Sequence, residues 1–218
     1  AIQDTQKCIM TLLGIGDPAP DFSLVDSDGV SHSLAEHKGR KVMLSFYRSA
    51  ACPFCNYAID ELQGRYKKLA WAVKLDVIAV FQSPTEKIDD FILKSRQMTT
   101  TEFPFVLLSD EQLMAFGDYQ VKENRRKSVF GFLSGHRASK DCEEYYAEFT
   151  KKNNIDNEIF VDRNPSDFLI DEKGVIIDIF RANTMTEHIS VDRINSFLLF
   201  GKSQRQLNAT RSERRSFF

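Results

Sequence analysis

The stretch SFYRSAACPFCNYAIDEL, residues 45–62, carries two of the chain's four cysteines three positions apart, where an apolar run gives way to helical spacing. Upstream, RKVMLSFY (40–47) is apolar on both sides of its alternation, which predicts a strand buried on both faces. Downstream, Cys55, Ala58, Ile59, Leu62, Tyr66 and Leu69 recur at intervals of three and four, so a helix opens near the cysteines. Strand, Cys-Pro-Phe-Cys, then helix places Cys52 at the helix N-terminal end and Cys55 one turn inside. There the unpaired backbone N–H groups and the positive end of the helix dipole favour a thiolate, so the Cys52 pKa is expected below the ~8.5 of a free thiol. Cys52 is therefore the expected nucleophile. Cys55 sits on the same face, in reach of a mixed disulfide or a sulfenic acid on Cys52. Pro53 supplies the fixed φ that a first helical turn wants and needs no N–H partner.

Two plainer readings compete. A structural zinc site takes about four ligands, and His32, His37, His136 and His188 are scattered, with no second pair at ligand spacing. Two core cysteines at this spacing are common in an arbitrary helix, but the strand-to-helix junction and the intervening proline favour a redox pair. No metal and no cofactor are expected.

The rest of the chain sets the context. At 218 residues, 42% apolar and 28% charged, it is long enough for one globular domain with a sizeable core. A formal charge of −2 gives no global attraction to nucleic acid or to an anionic membrane surface. No apolar run approaches the ~20 residues of a membrane span, and AIQDTQKCIMTLLGIGDPAP (1–20) is too short and acidic to read as a signal peptide. The cysteines at 8, 52, 55 and 142 are too few and irregular for a disulfide scaffold, which suggests a reducing compartment. The expectation is cytoplasmic, or organellar if a transit peptide has been removed.

Along the chain, GIGDPAPDFSLVDSDGVSHSL (14–34) predicts a short hairpin turning at DSDG, and KLDVIAVF (74–81) a second buried strand. Ser83, Pro84 and Glu86 form a capping-box pattern for a helix burying Ile88, Phe91 and Ile92. FPFVLLSD (103–110) predicts a third strand, and Asp110 the cap of a short helix carrying Leu113, Met114 and Phe116. Residues 120–163 are polar and charge-rich with one helix around 138–152, and read as an insertion. DFLIDEKGVIIDIF (167–180) is a hairpin, and SVDRINSFLLF (190–200) a capped amphipathic helix. The expected layout is an N-terminal extension (1–13), one domain (14–200) and a basic tail (201–218). Cys8 and Cys142 are candidates for resolving thiols but fall in segments without a recognised role, and Cys142 in DCEEYYAEF reads as a bystander whose replacement leaves turnover nearly unchanged, a Cys52–Cys142 disulfide with lost turnover being the contrary outcome. His136, the clusters NRRKS and RSERR and the NAT sequon at 208–210 read as solvated surface.

GDPAPDFSL, FYRSAACPFCN, FPFVLLSD and NPSDFLIDEKGVIIDI resemble, in order and spacing, the alkyl hydroperoxide reductase/thiol-specific antioxidant family. The likeness is to its peroxiredoxin-like branch, over about residues 14–118 and 160–200. It implies an α/β, thioredoxin-like fold, a central mixed sheet flanked by helices, here with an inserted helical segment. It implies Cys52 as nucleophile and Cys55 as its partner. Ser49 matches the family's hydroxyl three residues before the nucleophile, whereas Ser45 stands where the family has proline. Arg48 and Arg163 are candidates for the family's arginine, and Ala51 stands where thioredoxin-type sites have tryptophan. Pro165 matches the cis-proline of thioredoxin-like sites, so the Asn164–Pro165 bond is expected cis, as a backbone edge for a bound substrate strand. Tyr47 and Phe54 flank the dithiol and are expected to line a groove for substrate or partner. The implied activity is thiol-dependent reduction of a hydroperoxide, with thioredoxin, glutaredoxin or glutathione as external reductant. Disulfide exchange without a peroxide step, and a redox-sensing binding module docking through the insertion, are the alternatives. A homodimer is compatible with each.

Overall fold

A computed structural model describes residues 12–70, 75–121, 123, 139–153 and 163–203. Cys8, His136, the two basic clusters, the sequon and the tail from 204 lie outside the described residues. Seven strands form one mixed sheet: β1 (Ser23–Val25), β2 (Ser31–Ser33), β3 (Lys41–Tyr47), β4 (Leu75–Phe81), β5 (Val106–Ser109), β6 (Ser166–Ile170) and β7 (Ile176–Arg181), in spatial order β2-β1-β5-β4-β3-β6-β7. The pairs β3–β4 and β4–β5 are parallel, and β6 joins β3 antiparallel. Every residue of β3 is buried, as its two-sided apolar pattern predicts for a strand at the middle of a covered sheet.

Period-2 alternation along β3 divides the core. Met43 and Tyr47 pack on one face with helix α1 (Pro53–Ala70), the segment from α2 (Thr85–Ile88), and α5 (Val191–Phe200). Val42, Leu44 and Phe46 pack on the other with Phe116 and Tyr119 of and beside α3 (Met114–Asp118). Helix α4 (Lys140–Lys152), the predicted inserted helix, lies on the first face against α1. Both hairpin turns use one device. Asp26 Oδ1 accepts from the N–H groups of Asp28 and Val30, and Asp171 Oδ1 from those of Lys173 and Val175. Gly29 and Gly174 take the positive φ each turn requires, +76° and +82°.

Two expected caps differ. The helix after β4 starts at Thr85 with Pro84 as N-cap and no side-chain cap bond, and Ser83 serves elsewhere. Past Ile88 it widens into a π-helical turn, Asp89–Leu93, then tightens into a 3₁₀ turn, Lys94–Arg96, with Ile88, Phe91 and Ile92 buried as expected. Asp110 does cap α3, but from four residues upstream of Met114: its carboxylate accepts from the N–H groups of Met114 and Phe116, while Met114 itself is exposed. The expected cis-proline is corrected. No peptide bond among the described residues is cis, so Asn164–Pro165 is trans. The trans chain runs straight into β6: the Pro165 carbonyl accepts from Ala182 N–H, extending the β6–β7 ladder, and the Asn164 side-chain amide donates to the Ala182 and Asn183 carbonyls.

Candidate active site

β3 delivers Tyr47 and then a tight loop, Arg48 to Cys52, to the first turn of α1. Pro53 is the first helical residue, so Cys52 stands at the N-terminal end of an 18-residue helix. The Cys52 N–H donates to the Ser49 carbonyl at 3.2 Å, and its own carbonyl accepts from Asn56 N–H at 3.0 Å. Ala50 N–H donates to Ser83 Oγ at 2.9 Å, which is the task that takes Ser83 away from capping. Asn56 closes the loop from the helix side. Its side-chain amide donates to the Ala50 and Cys52 carbonyls (2.7 and 3.1 Å) and its oxygen accepts from Arg96 Nη1 at 3.1 Å. Arg96 in turn pairs with Asp60 at 2.7 Å. The long-range part of this network, Arg96 and Ser83, carries no sequence signal, since its members meet only in the fold. Asn56 sits next to the dithiol in sequence and was legible only as the motif's last letter.

Cys52 and Cys55 are each about 1% exposed. Arg48, itself 1% exposed, reaches Cys52 Sγ with Nη1 at 3.7 Å and Met185 Sδ at 3.3 Å. A hydrogen bond from the Cys55 thiol, the Arg48 charge and the N–H groups of Cys55 and Phe54 lower the Cys52 pKa to about 6, against the upward push of burial. Cys55 moves the other way: burial, then its hydrogen bond and charge interaction with Cys52, hold it protonated. The pair is thus divided into one thiolate and one thiol that donates to it.

The other expected residues are placed as follows. Ser49 is fully buried beside the thiolate loop, and its hydroxyl has no hydrogen-bond partner among the described residues. Tyr47 stacks on Phe81 at 5.2 Å and lies 4.9 Å from the His188 ring, lining a groove of about 170 Å³ with Met43, Tyr57, Leu62 and His188. Phe54 is stacked against Tyr146 of α4 at 5.2 Å and is not among the residues lining that groove. In the β3–β6 register the pair beyond Phe46–Ser166 is Tyr47 with Pro165, which puts Asn164 and Pro165 at the end of the strand that carries the dithiol loop. Arg163 is not brought to the dithiol. Its guanidinium donates to the Val121 carbonyl at 2.6 Å and to Glu123, over the ring of Phe116, whose core lies on the opposite face of the sheet from Cys52. Cys142, read as a bystander, is 4% exposed and packs in the same core cluster as Cys52 and Cys55. No group of three metal-binding side chains occurs among the described residues.

A dithiol at the end of a central parallel strand, its first sulfur on a helix N-terminus, defines a thioredoxin-fold thiol oxidoreductase. The AhpC/TSA family model matches residues 15–179, and the chain belongs to that family as a peroxiredoxin-like member of the thioredoxin superfamily. It is 35% identical over 126 residues to a putative peroxiredoxin of Mycobacterium tuberculosis, covering 56% of this chain and 76% of that one. It is 34% identical over 114 residues to peroxiredoxin Bcp of Escherichia coli, covering 52% and 65%. In fold it is similar to a thiol peroxidase from Chromobacterium violaceum, with TM-score 0.59, 13% identity and 88% and 89% of the chains covered. The peroxidoxin BcpB from Mycobacterium tuberculosis superposes with TM-score 0.54 at 20% identity, over 79% and 88%. Among the described residues no helix is long and apolar enough to cross a membrane.

The electrostatics make a direct prediction. A thiol alkylates as its thiolate, so the rate rises with pH and levels off above the pKa. In a Cys8→Ser background, iodoacetamide is expected to label Cys52 first, with a midpoint well below 8.5. Labelling of Cys55 or Cys142 first at neutral pH would reverse the assignment.

Proposed function

We propose that this protein reduces hydroperoxides through Cys52, with Cys55 as resolving partner. The observation that carries the reading is the pairing of the Cys52 sulfur, at a helix end and 3.7 Å from a buried guanidinium, with a protonated thiol one turn along the same helix. The Cys52 thiolate attacks one peroxide oxygen, the O–O bond breaks, and the other oxygen leaves as the alcohol or water after taking a proton. Arg48 offsets the negative charge that spreads from sulfur to the leaving oxygen. Ser49, whose buried hydroxyl lacks a protein partner among the described residues, donates to the bound peroxide. The sulfenic acid on Cys52 then condenses with Cys55, releasing water, and an external dithiol or glutathione returns two electrons to the disulfide. A reducing, cytoplasmic setting suits a chain with only four irregularly spaced cysteines. Thioredoxin, glutaredoxin and glutathione are the candidate reductants.

A second reading is favoured by one observation. Helix α4 stacks on Phe54 between the two cysteines, and a protein reductant cannot reach sulfurs that are about 1% exposed without a local rearrangement, which is the behaviour of a redox-sensing docking module. Peroxide consumption by the pure protein, with thioredoxin and then glutathione as sole reductant, separates the two. Sustained turnover with either is the expected result. Oxidation of Cys52 no faster than that of free cysteine would leave disulfide exchange or sensing.

A further inference from the structure

Cys142 is the third free thiol of the described chain. It sits in the first turn of α4, where its N–H donates to the N-cap Ser139 Oγ at 3.3 Å. The face it shares with residues three, four and seven positions on is fastened to the redox helix and its neighbours. Tyr146 stacks on Phe54 at 5.2 Å, and Tyr145 meets the Tyr57 ring at 5.5 Å and donates its hydroxyl to Asp60 at 2.8 Å. Phe149 packs on Phe91, with ring centroids 6.4 Å apart. Since Asp60 also holds Arg96, and Arg96 holds Asn56, α4 is tied to the same network that shapes the Cys52 loop. These contacts hold α4 against the start of α1, and Cys142 shares one continuous core cluster with Cys52, Phe54 and Cys55. The thiols sense one another: burial raises the Cys142 pKa to about 11, with the Cys52 charge as the next cause.

We propose that Cys142 is a second resolving thiol for Cys52, and that the Cys52–Cys142 disulfide locks the inserted helix over the active site. The inference rests on the proposed peroxide chemistry for its sulfenic acid, but not for the thiol pairing itself. In the step, the Cys142 sulfur attacks the Cys52 sulfur, the S–O bond breaks, and the hydroxyl leaves as water with the proton of the Cys142 thiol. The hydroperoxide that made the sulfenic acid is the only oxidant consumed. The same attack on a mixed disulfide at Cys52 expels the bound thiol instead. Cys55 lends its proton to the Cys52 sulfur and so supports the thiolate, whereas Cys142 approaches from a second helix. Oxidation through Cys142 would also fasten α4 covalently to the loop that enters α1, coupling the redox state to the position of α4.

The test uses the full chain carrying Cys8→Ser and Cys55→Ser, so that Cys52 and Cys142 are the thiols left. One arm adds one equivalent of hydrogen peroxide, the other a limiting aromatic disulfide, each followed by alkylation and peptide mapping. The expected result is a Cys52–Cys142 peptide in both arms, and about two aromatic thiols released per disulfide added, because the second sulfur displaces the first adduct. Release of about one, with Cys52 capped and Cys142 still alkylatable, overturns the pairing. A persistent sulfenic acid in the peroxide arm does the same. Cross-linking by the disulfide alone, with Cys52 inert to peroxide, keeps the pairing and removes the peroxidase reading. Adding Cys142→Ser must abolish the cross-link. If the serine at 55 prevents folding, Cys55→Ala carries the same measurements.

Discussion

The Cys55→Ser/Cys142→Ser double variant is expected to consume about one equivalent of peroxide per chain and stop, with Cys52 held as a sulfenic acid. Steady-state turnover with thioredoxin should fall by about a thousandfold or more, since a protein dithiol has no disulfide to attack and the sulfur is buried. The initial burst should survive, because Arg48 and the helix end still act on the Cys52 sulfur. Its pH dependence should stay close to wild type, because a serine hydroxyl at position 55 still donates to the Cys52 sulfur, whereas Cys55→Ala, which removes the hydrogen bond that lowers the Cys52 pKa, should shift it upward. A dimedone adduct on Cys52, found by mass spectrometry after the burst, is the decisive product. Cys55→Ser alone should keep part of the turnover by way of Cys142. Turnover in the double variant within about tenfold of wild type would mean that the reductant attacks the sulfenic acid directly, and that neither partner thiol resolves it.

How far the sequence goes is visible at individual residues. The fold was legible because its signals are local. β3 and β4 are apolar on both faces of their alternation and are buried accordingly, and each hairpin is written as Asp-x-x-Gly. The dithiol was legible for the same reason: the strand, the proline and the helical spacing lie within a single stretch of chain. Ser83 shows where local reasoning fails, for its hydroxyl has two claimants, the helix that follows it and the Ala50 N–H across the loop, and the tertiary partner wins. Arg163 fails differently. It stands two residues before the matched Pro165, yet an isolated bridge to Glu123 and the Phe116 ring draw its side chain to the other core. The Asn164–Pro165 bond stays trans because the ladder past β6 accepts the extended chain. For Cys142 the sequence offers a bystander and a resolving thiol without placing the residue in the fold. DCEEYYAEF looks like an ordinary solvated helix, and only the stacking of Tyr146 on Phe54 reveals which of its faces is covered, and by what.

Arg48→Met should raise the Cys52 pKa and slow peroxide reduction at pH 7 by roughly ten- to a hundredfold, the equivalent of losing one charge-assisted hydrogen bond of about 1.5–3 kcal/mol. Methionine fills comparable length without charge, and the position is buried, so the change isolates the guanidinium from the packing around Met185. Two roles for Arg48 give different pH profiles. If it acts only by favouring the thiolate, raising the pH above the new Cys52 pKa restores the wild-type rate. If it also offsets charge on the leaving oxygen, a deficit remains on the high-pH plateau, where every Cys52 is ionised. The expected outcome is the remaining deficit, because a guanidinium 3.7 Å from the sulfur is also close to any oxygen that the sulfur attacks. Arg48→Lys should recover the pKa more than the plateau, since an ammonium supplies charge but not the planar fork that spans sulfur and oxygen together. Full recovery of the plateau in Arg48→Met would confine the arginine to tuning the thiol and leave Ser49 and the helix N–H groups to hold the peroxide.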